Sequence, residues 1–311
     1  MAIRPYLSII ILAVIALGLT TFVFASFQTE QPDGITRNPF FNSTQAYVLP
    51  LAEPSYFPIL DSNSDISGIG AKSAAVYDIR SGRFLYEKNS RQRLPVASLT
   101  KIITAVVVLE KFNTRDTVAV SAAAVRVDGE KQDLYEGELL KIEDLLKMML
   151  VDSSNDAAYA LKDYASQKGI NLVEAMNQKI STLGLNDTNF LDPAGLNDEG
   201  YSSAQDMVRI SRYAMKHDMI WEFLRQKESS VQSLDGKIMH ALKNTNILLG
   251  NLPNIIGGKT GNTDNALGCL VLLVSIPEKN DTLISVVLGS KDRFGETEKL
   301  INWVKSSYRW E

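Results

Sequence analysis

Two kinds of hydrophobic pattern run along the chain and divide it. Residues 7–27, LSIIILAVIALGLTTFVFASF, are apolar without a period, and no charged residue lies between Pro5 and Thr29. About 20 helical residues span a bilayer, whereas the apolar core of a secretory signal runs to roughly 7–15, so length favours an uncleaved anchor over residues 1–27. Val23, Phe24 and Ala25 also fit a signal cleaved after Ala25. Arg4 precedes the run while Glu30 and Asp33 follow it, which by the positive-inside rule keeps the N-terminus cytoplasmic. Both readings export the rest of the chain, as a single-pass membrane protein with an extracytoplasmic body or as a secreted one. Residues 28–67 hold five of the ten prolines and keep neither strand nor helix period, the composition of an extended tether. Phe40, Phe41, Tyr56 and Phe57 are the residues that would dock parts of it onto the body.

The folded body, residues 68–311, is periodic. AAVYDI and FLYEKN flank Arg80-Ser81-Gly82-Arg83 and predict two strands around a turn. After Ser98 the chain is β-branched and apolar on nearly all sides, through Ile102, Ile103, Val106, Val107 and Val108, which predicts a helix held by burial at the centre of a domain. Further helices are predicted at IEDLLKMMLVD, SSNDAAYALKDYASQ, NLVEAMNQKISTLG and SSAQDMVRISRYAMK, the last after the breaker-rich loop NFLDPAGLNDEG. LGCLVLLVSI and TLISVVLGS predict an antiparallel hairpin, and ETEKLINWVKSSYRW a closing helix. Strands at both ends with helices between imply an α/β (α+β) fold: an antiparallel sheet of N- and C-terminal strands, flanked by helices, with a mostly helical insert.

Composition narrows the chemistry. With 311 residues, 45% of them hydrophobic, the chain can bury one substantial core and carry appendages. A formal charge of -4 offers no basic field, so no nucleic-acid partner is expected. The single cysteine, Cys269, lies in an apolar run and reads as a small buried hydrophobe, with no intrachain disulfide or thiolate cluster available to it. The two histidines, His217 and His240, exclude a three-histidine zinc site and read as surface or capping residues. No metal or organic cofactor is implied.

Three short motifs remain. Ser98 and Lys101 are an SxxK pair, of which about one is expected by chance in a chain of this length. Ser98 as a helix N-cap with Lys101 solvated in the first turn is the plain alternative. Against it, a cation in a first turn opposes the helix dipole, and a lysine heading an all-apolar helix is drawn inside. Burial and the positive helix end lower its pKa, and the neutral amine then accepts the proton of a hydroxyl on the same helix face. Ser153-Ser154-Asn155 follows, at a turn between two predicted helices, where all these residue types are also ordinary caps. Lys259-Thr260-Gly261 is either a polar turn or a carboxylate site in which Gly admits a close backbone approach.

In this order, in an exported chain with no usable histidine, the three are the signature of active-site-serine enzymes that include β-lactamases and penicillin-binding proteins. The chain resembles the serine-type D-alanyl-D-alanine carboxypeptidases, low-molecular-mass penicillin-binding proteins with a β-lactamase/transpeptidase-like fold. The likeness covers about residues 70–304. It rests on DIRSGRFLYEKN leading to RLPVASLTKIITA, on GELLKIEDLLKMMLVDSSNDAAYAL, FLDPAGL and KNTNILL, and on GGKTGNTDNA followed by SVVLGSKDRF. The resemblance implies that Ser98 attacks the penultimate D-alanine carbonyl of a peptidoglycan stem peptide and forms an acyl-enzyme, with β-lactams as inhibitors. Lys101 would be its base, Ser153 would pass a proton to the departing D-alanine, and Asn155 would hold Lys101 and a substrate amide. Lys259, Thr260 and Arg293 would hold the terminal carboxylate beside Gly261, and the backbone N–H groups of Ser98 and Asn262 would form the oxyanion site.

Two positions depart from the pattern: Ser154 stands where Gly is usual and Asn262 where His is frequent. Residue 311 falls where many members continue into a C-terminal β-domain and anchor, whose place the N-terminal span would take. Rival readings use the same residues. A class A β-lactamase needs a Glu-x-x-x-Asn element, and neither Glu174, followed by Asn177, nor Glu199 supplies one. A DD-endopeptidase, a transpeptidase or a β-lactam-binding sensor differs only in what fills the cleft or how fast the acyl-enzyme is released.

Overall fold

A computed structural model describes residues 57–61, 66–127, 129 and 133–310. All of these belong to the unit Glu53–Glu311. In chain order the strands and helices begin with β1 (Pro58–Leu60), β2 (Ser73–Asp78), β3 (Arg83–Lys88), α1 (Lys101–Lys111), β4 (Thr117–Ala119) and β5 (Leu139–Lys141). The helical part follows as α2 (Ile142–Lys147), α3 (Asn155–Gln167), α4 (Leu172–Thr182), α5 (Ala204–Ala214) and α6 (Asp218–Arg225). The chain closes with β6 (Glu228–Gln232), β7 (Met239–Lys243), β8 (Ile255–Thr263), β9 (Leu267–Ile276), β10 (Asp281–Ser290), α7 (Arg293–Ser307) and β11 (Tyr308–Trp310).

The main sheet is antiparallel and five-stranded, in the order β3-β2-β10-β9-β8, so strands from the two ends of the body share one sheet, as predicted. The runs in β9 and β10 are apolar without alternation because both faces are covered. Cys269, Val271 and Leu273 face the helical core, while Leu270, Leu272 and Val274 face Leu300, Ile301 and Val304 of α7. Helix α1 is the central helix that burial predicted: every residue from Lys101 to Val108 is buried, which offsets the weak helix propensity of its β-branched side chains.

Several boundaries differ from the sequence reading. The closing helix stops at Ser307, and Tyr308–Trp310 pairs as β11 with β1, with Pro58 opposite Trp310. Part of the segment read as a tether is therefore a strand docked on the body, with Phe57 under the Arg83 guanidinium at 4.7 Å. Trp310 fastens the far end by donating its indole N–H to Asp78 Oδ2 at 3.1 Å. The predicted helix IEDLLKMMLVD breaks after Lys147 into a π turn, Met148–Asp152. Helix α6, the antiparallel pair β4–β5 and the hairpin β6–β7 were not anticipated. Cys269 is buried in β9, and His217 occupies the N-cap position of α6. His240 is neither exposed nor a cap: it is buried in β7 with Nε2 2.7 Å from Glu138 Oε1, a carboxylate that makes its burial tolerable.

Among the described residues no helix is long and apolar enough to cross a membrane. The expected anchor and most of the tether, including Phe40, Phe41 and Tyr56, lie outside them.

Candidate active site

Ala97 takes a left-handed conformation, φ 49°, and turns the chain into one 3-10 turn, Ala97–Thr100, from which α1 continues. Val96 is the N-cap position of that turn, so Ser98 is not the capping residue of the plain alternative. The Lys101 ammonium, wholly buried, donates to Ser98 Oγ at 2.7 Å, Asn155 Oδ1 at 2.7 Å and the Ala194 carbonyl at 3.1 Å. Burial pushes its pKa down to about 7, with the charges of Asp192 and then Asp156 pulling the other way. Burial is the cause that the sequence argument named first; the helix end, also named there, is not among the causes, and the opposing carboxylates were not foreseen. A neutral amine keeps two N–H groups, enough for Asn155 and Ala194, and leaves its lone pair facing Ser98 Oγ.

The π turn ends in Ser153, whose left-handed backbone, φ 64°, is uncommon for a residue with a side chain. That turn aims Ser153 Oγ at Lys259, which donates to it at 2.8 Å. Ser154 then caps α3 by accepting the Ala157 N–H at 3.0 Å, so its side chain enters the helix start and leaves the cleft open. Asn155 is the first residue of α3.

Lys259, Thr260, Gly261 and Asn262 lie on β8, an end strand of the main sheet. Lys259 is buried and also donates to the Thr260 carbonyl at 3.0 Å. Burial, then the positive charges of Lys101 and Arg293, hold its ammonium well below the usual lysine range, against the charge of Asp152. The hydroxyls of Thr260 and Thr245 meet at 2.5 Å. Gly261 is required where it stands: a Cβ would lie 2.8 Å from the Val96 carbonyl and 3.1 Å from Ser98 N. Its absence lets β8 pack against the turn that carries Ser98. Arg293, the first residue of α7, donates to Asn262 Oδ1 at 3.3 Å, and its buried Nε has no partner.

All nine residues singled out in the sequence thus converge. Ser98, Ser153, Asn155, Thr260, Gly261, Asn262 and Arg293 line one cleft of about 390 Å³, with Lys101 and Lys259 buried beneath it through the contacts above. Sequence reasoning missed Asp192. This carboxylate accepts the N–H groups of Ala194, Gly195 and Asn197 at 2.7, 2.6 and 2.8 Å and so turns the Ala194 carbonyl towards Lys101. Its one signal was an Asp preceding Pro-Ala-Gly, an Asx-turn former. Thr245 was missed as well. Among the described residues no three of His, Cys, Asp and Glu converge so as to hold a metal ion.

A family model described as D-alanyl-D-alanine carboxypeptidase matches residues 61–292. The D-alanyl-D-alanine carboxypeptidase DacF of Bacillus subtilis is 35% identical over 248 residues, 76% of this chain and 63% of that protein. DacC of Escherichia coli, another D-alanyl-D-alanine carboxypeptidase, is 34% identical over 250 residues, 76% of this chain and 61% of that protein. The chain therefore spans less than two thirds of the length of either curated relative. The crystal structure of the Streptomyces K15 DD-transpeptidase superposes with a TM-score of 0.72 at 29% identity, over 78% of this chain and 99% of that one. The fold expected from the resemblance is the fold observed, and the chain belongs to the D-alanyl-D-alanine carboxypeptidase family.

Proposed function

We propose that the chain is a serine D-alanyl-D-alanine carboxypeptidase that removes the terminal D-alanine from peptidoglycan stem peptides through an acyl-enzyme on Ser98. One observation carries this reading: a buried amine with a pKa of about 7 stands 2.7 Å from Ser98 Oγ with two other acceptors to occupy its N–H groups. Near neutral pH a substantial share of Lys101 is then a base with its lone pair aimed at the hydroxyl.

The steps follow from the geometry. The stem peptide lies along the outer edge of β8 as an added strand, its terminal carboxylate held by Lys259, Thr260 and Arg293. Lys101 takes the Ser98 proton as Oγ attacks the penultimate D-alanine carbonyl. The backbone N–H groups of Ser98, on its turn, and Asn262, on β8, receive the oxyanion where the missing Cβ of Gly261 lets turn and strand pack together. Collapse breaks the peptide bond, and the proton held by Lys101 passes to the leaving amine through Ser153, which Lys259 already orients at 2.8 Å, so that Lys101 is neutral again. Lys101 then takes a proton from the water that attacks the ester and returns it to Ser98 Oγ as the acyl bond breaks. On this reading residues 1–27 anchor or export the chain and the body works outside the cytoplasm, next to its polymer substrate. Protease added to intact spheroplasts is expected to digest the body.

The test is mass spectrometry of the full chain after incubation with benzylpenicillin, together with release of D-alanine from diacetyl-Lys-D-Ala-D-Ala. An adduct on Ser98 with D-alanine release is the expected result. An adduct with no release, and cleavage of cross-linked muropeptides instead, replaces the reading with an endopeptidase; an adduct with no turnover of either makes the chain a sensor. No adduct refutes the acyl-enzyme.

A further inference from the structure

The middle residue of the second motif, Ser154, is almost wholly buried, as is Asp156. The Ser154 hydroxyl donates to Asp156 Oδ1 and accepts the Ala157 N–H. Asp156 Oδ1 also accepts the Ala157 N–H at 2.9 Å, while Oδ2 reaches away from the helix to the N–H of Leu134 at 2.8 Å. Gly129 faces Asn155: a Cβ there would run into the Asn155 amide, and Gly129 lines the cleft. One carboxylate thus ties the helix start that presents Asn155 to the backbone at Leu134. Asn155 is in turn a direct acceptor for Lys101.

A buried carboxylate keeps its charge and orientation only while its oxygens are supplied with donors. Two of the donors to Asp156 are backbone N–H groups, which any sequence would provide. The third is the Ser154 hydroxyl, which a glycine would lack. We propose that Ser154 is a positioning residue for Lys101: its hydroxyl holds the Asp156 carboxylate between the start of α3 and the backbone at Leu134, and so fixes the helix start that presents Asn155 to Lys101. The inference rests on the acyl-enzyme reading for its kinetic expression, but its structural part stands without it. The charged groups acting on Lys101 are Asp192, Asp156 and, across the cleft, Lys259, and of these only Asp156 depends on Ser154.

The experiment uses the full chain with Ser154→Ala, Ser154→Thr and Asp156→Asn. Ser154→Ala removes both bonds of the hydroxyl but leaves the Ala157 N–H bonded to Asp156 Oδ1, so the helix start survives. The readouts are the second-order rate constant for acylation by benzylpenicillin from pH 5 to 9, and hydrogen exchange of the Leu134 amide. Ser154→Ala is expected to slow acylation about tenfold, the scale of a small misplacement transmitted to reacting groups. It should move the acid limb to lower pH, as Asp156→Asn does, and speed exchange at Leu134, with Ser154→Thr restoring all three. An unmoved acid limb with unchanged Leu134 protection overturns the proposal, and it does so whether or not the variant melts earlier, because a hydroxyl that merely caps α3 lowers only the melting temperature. If the wild-type chain fails to acylate, the acyl-enzyme reading falls, and the exchange measurement alone still decides for or against the tie.

Discussion

Asp192→Asn tests the connection between the DPAG loop and the base. The carboxylate accepts three N–H groups at 2.6–2.8 Å, two on Oδ1 and one on Oδ2. In the variant one oxygen becomes an NH2 facing a backbone donor, and a buried donor left unpaired costs about 1–3 kcal/mol. The melting temperature should therefore fall by roughly 2–10 °C. The kinetic effect has a separate origin. On the proposed reading Lys101, with a pKa of about 7, is the base, and its neutral fraction sets the wild-type acid limb. That fraction is roughly 50% at pH 7, about 10% at pH 6 and about 1% at pH 5, so acylation by benzylpenicillin should fall nearly tenfold per unit of pH on the acid side. Asp192 supplies the largest pull keeping that pKa up. Its charge acts across the Ala194 peptide and not by direct contact, so its loss should lower the limb by about 1 unit, the small end of the range for a neighbouring opposite charge. The expected profile is a lower plateau, because the Ala194 carbonyl is less well aimed, and a midpoint shifted to more acidic pH. Asp281→Asn is the control, since Asp281 is absent from the causes that shift either Lys101 or Lys259. A wild-type profile flat between pH 5 and 8, or an Asp192→Asn midpoint that stays in place, would refute the assignment of Lys101 as the titrating base.

Gly261→Ala places a methyl 2.8 Å from the Val96 carbonyl and 3.1 Å from Ser98 N, so acylation should drop by about a hundredfold while circular dichroism stays native. Thr245→Val removes the hydroxyl 2.5 Å from Thr260 Oγ1 and should raise KM for the D-Ala-D-Ala peptide several-fold with kcat nearly unchanged, if Thr260 serves the carboxylate. Burial, helped by Asp78, pushes the Asp281 carboxyl up to about 6. A raised carboxyl pKa contributes stability that is present at low pH and lost as pH rises through the folded value, so the melting temperature should climb as pH drops from 7 towards 5. Asp281→Asn should remove that slope and melt later than wild type at pH 7.5; an unchanged slope would mean that another group carries it.

How much of this was legible depends on where each signal resides. The sheet and the central helix are written in long apolar runs, so they could be read. The three motifs could be read because hydroxyls and amines at those positions are chemically rare enough to be noticed together. By composition alone β8 could pass for a polar turn, and only the family resemblance pointed to a strand at Lys259: Gly-Gly-Lys-Thr-Gly-Asn-Thr has poor strand propensity, and the strand persists through its ladder with β9 and its packing on the Ser98 turn. Tyr308–Trp310 continues a helical pattern, and only pairing with β1, far off in sequence, makes it a strand. The Ala194 carbonyl at Lys101 left no trace at all, because a backbone acceptor has no residue type, and Asp192, which aims it, is one of 36 acidic residues.

The site buries two lysines, whose hydrogen bonds among the described residues go to hydroxyls, an amide and backbone carbonyls. Such a pair is costly, since each ammonium loses hydration and each repels the other. The acidic groups stand one layer back, Asp192 and Asp156 behind Lys101 and Asp152 behind Lys259. Direct carboxylate contact would fix both lysines as ammonium ions, which would leave no base. The arrangement instead keeps Lys101 close to the point of losing its proton and leaves Lys259 short of an anion. On the proposed reading the missing anion is the terminal carboxylate of the substrate. Its arrival raises the proton affinity of Lys259 and so favours the ammonium that holds it, while Lys101, bonded to a hydroxyl, an amide and a backbone carbonyl, stays close to the point of losing its proton.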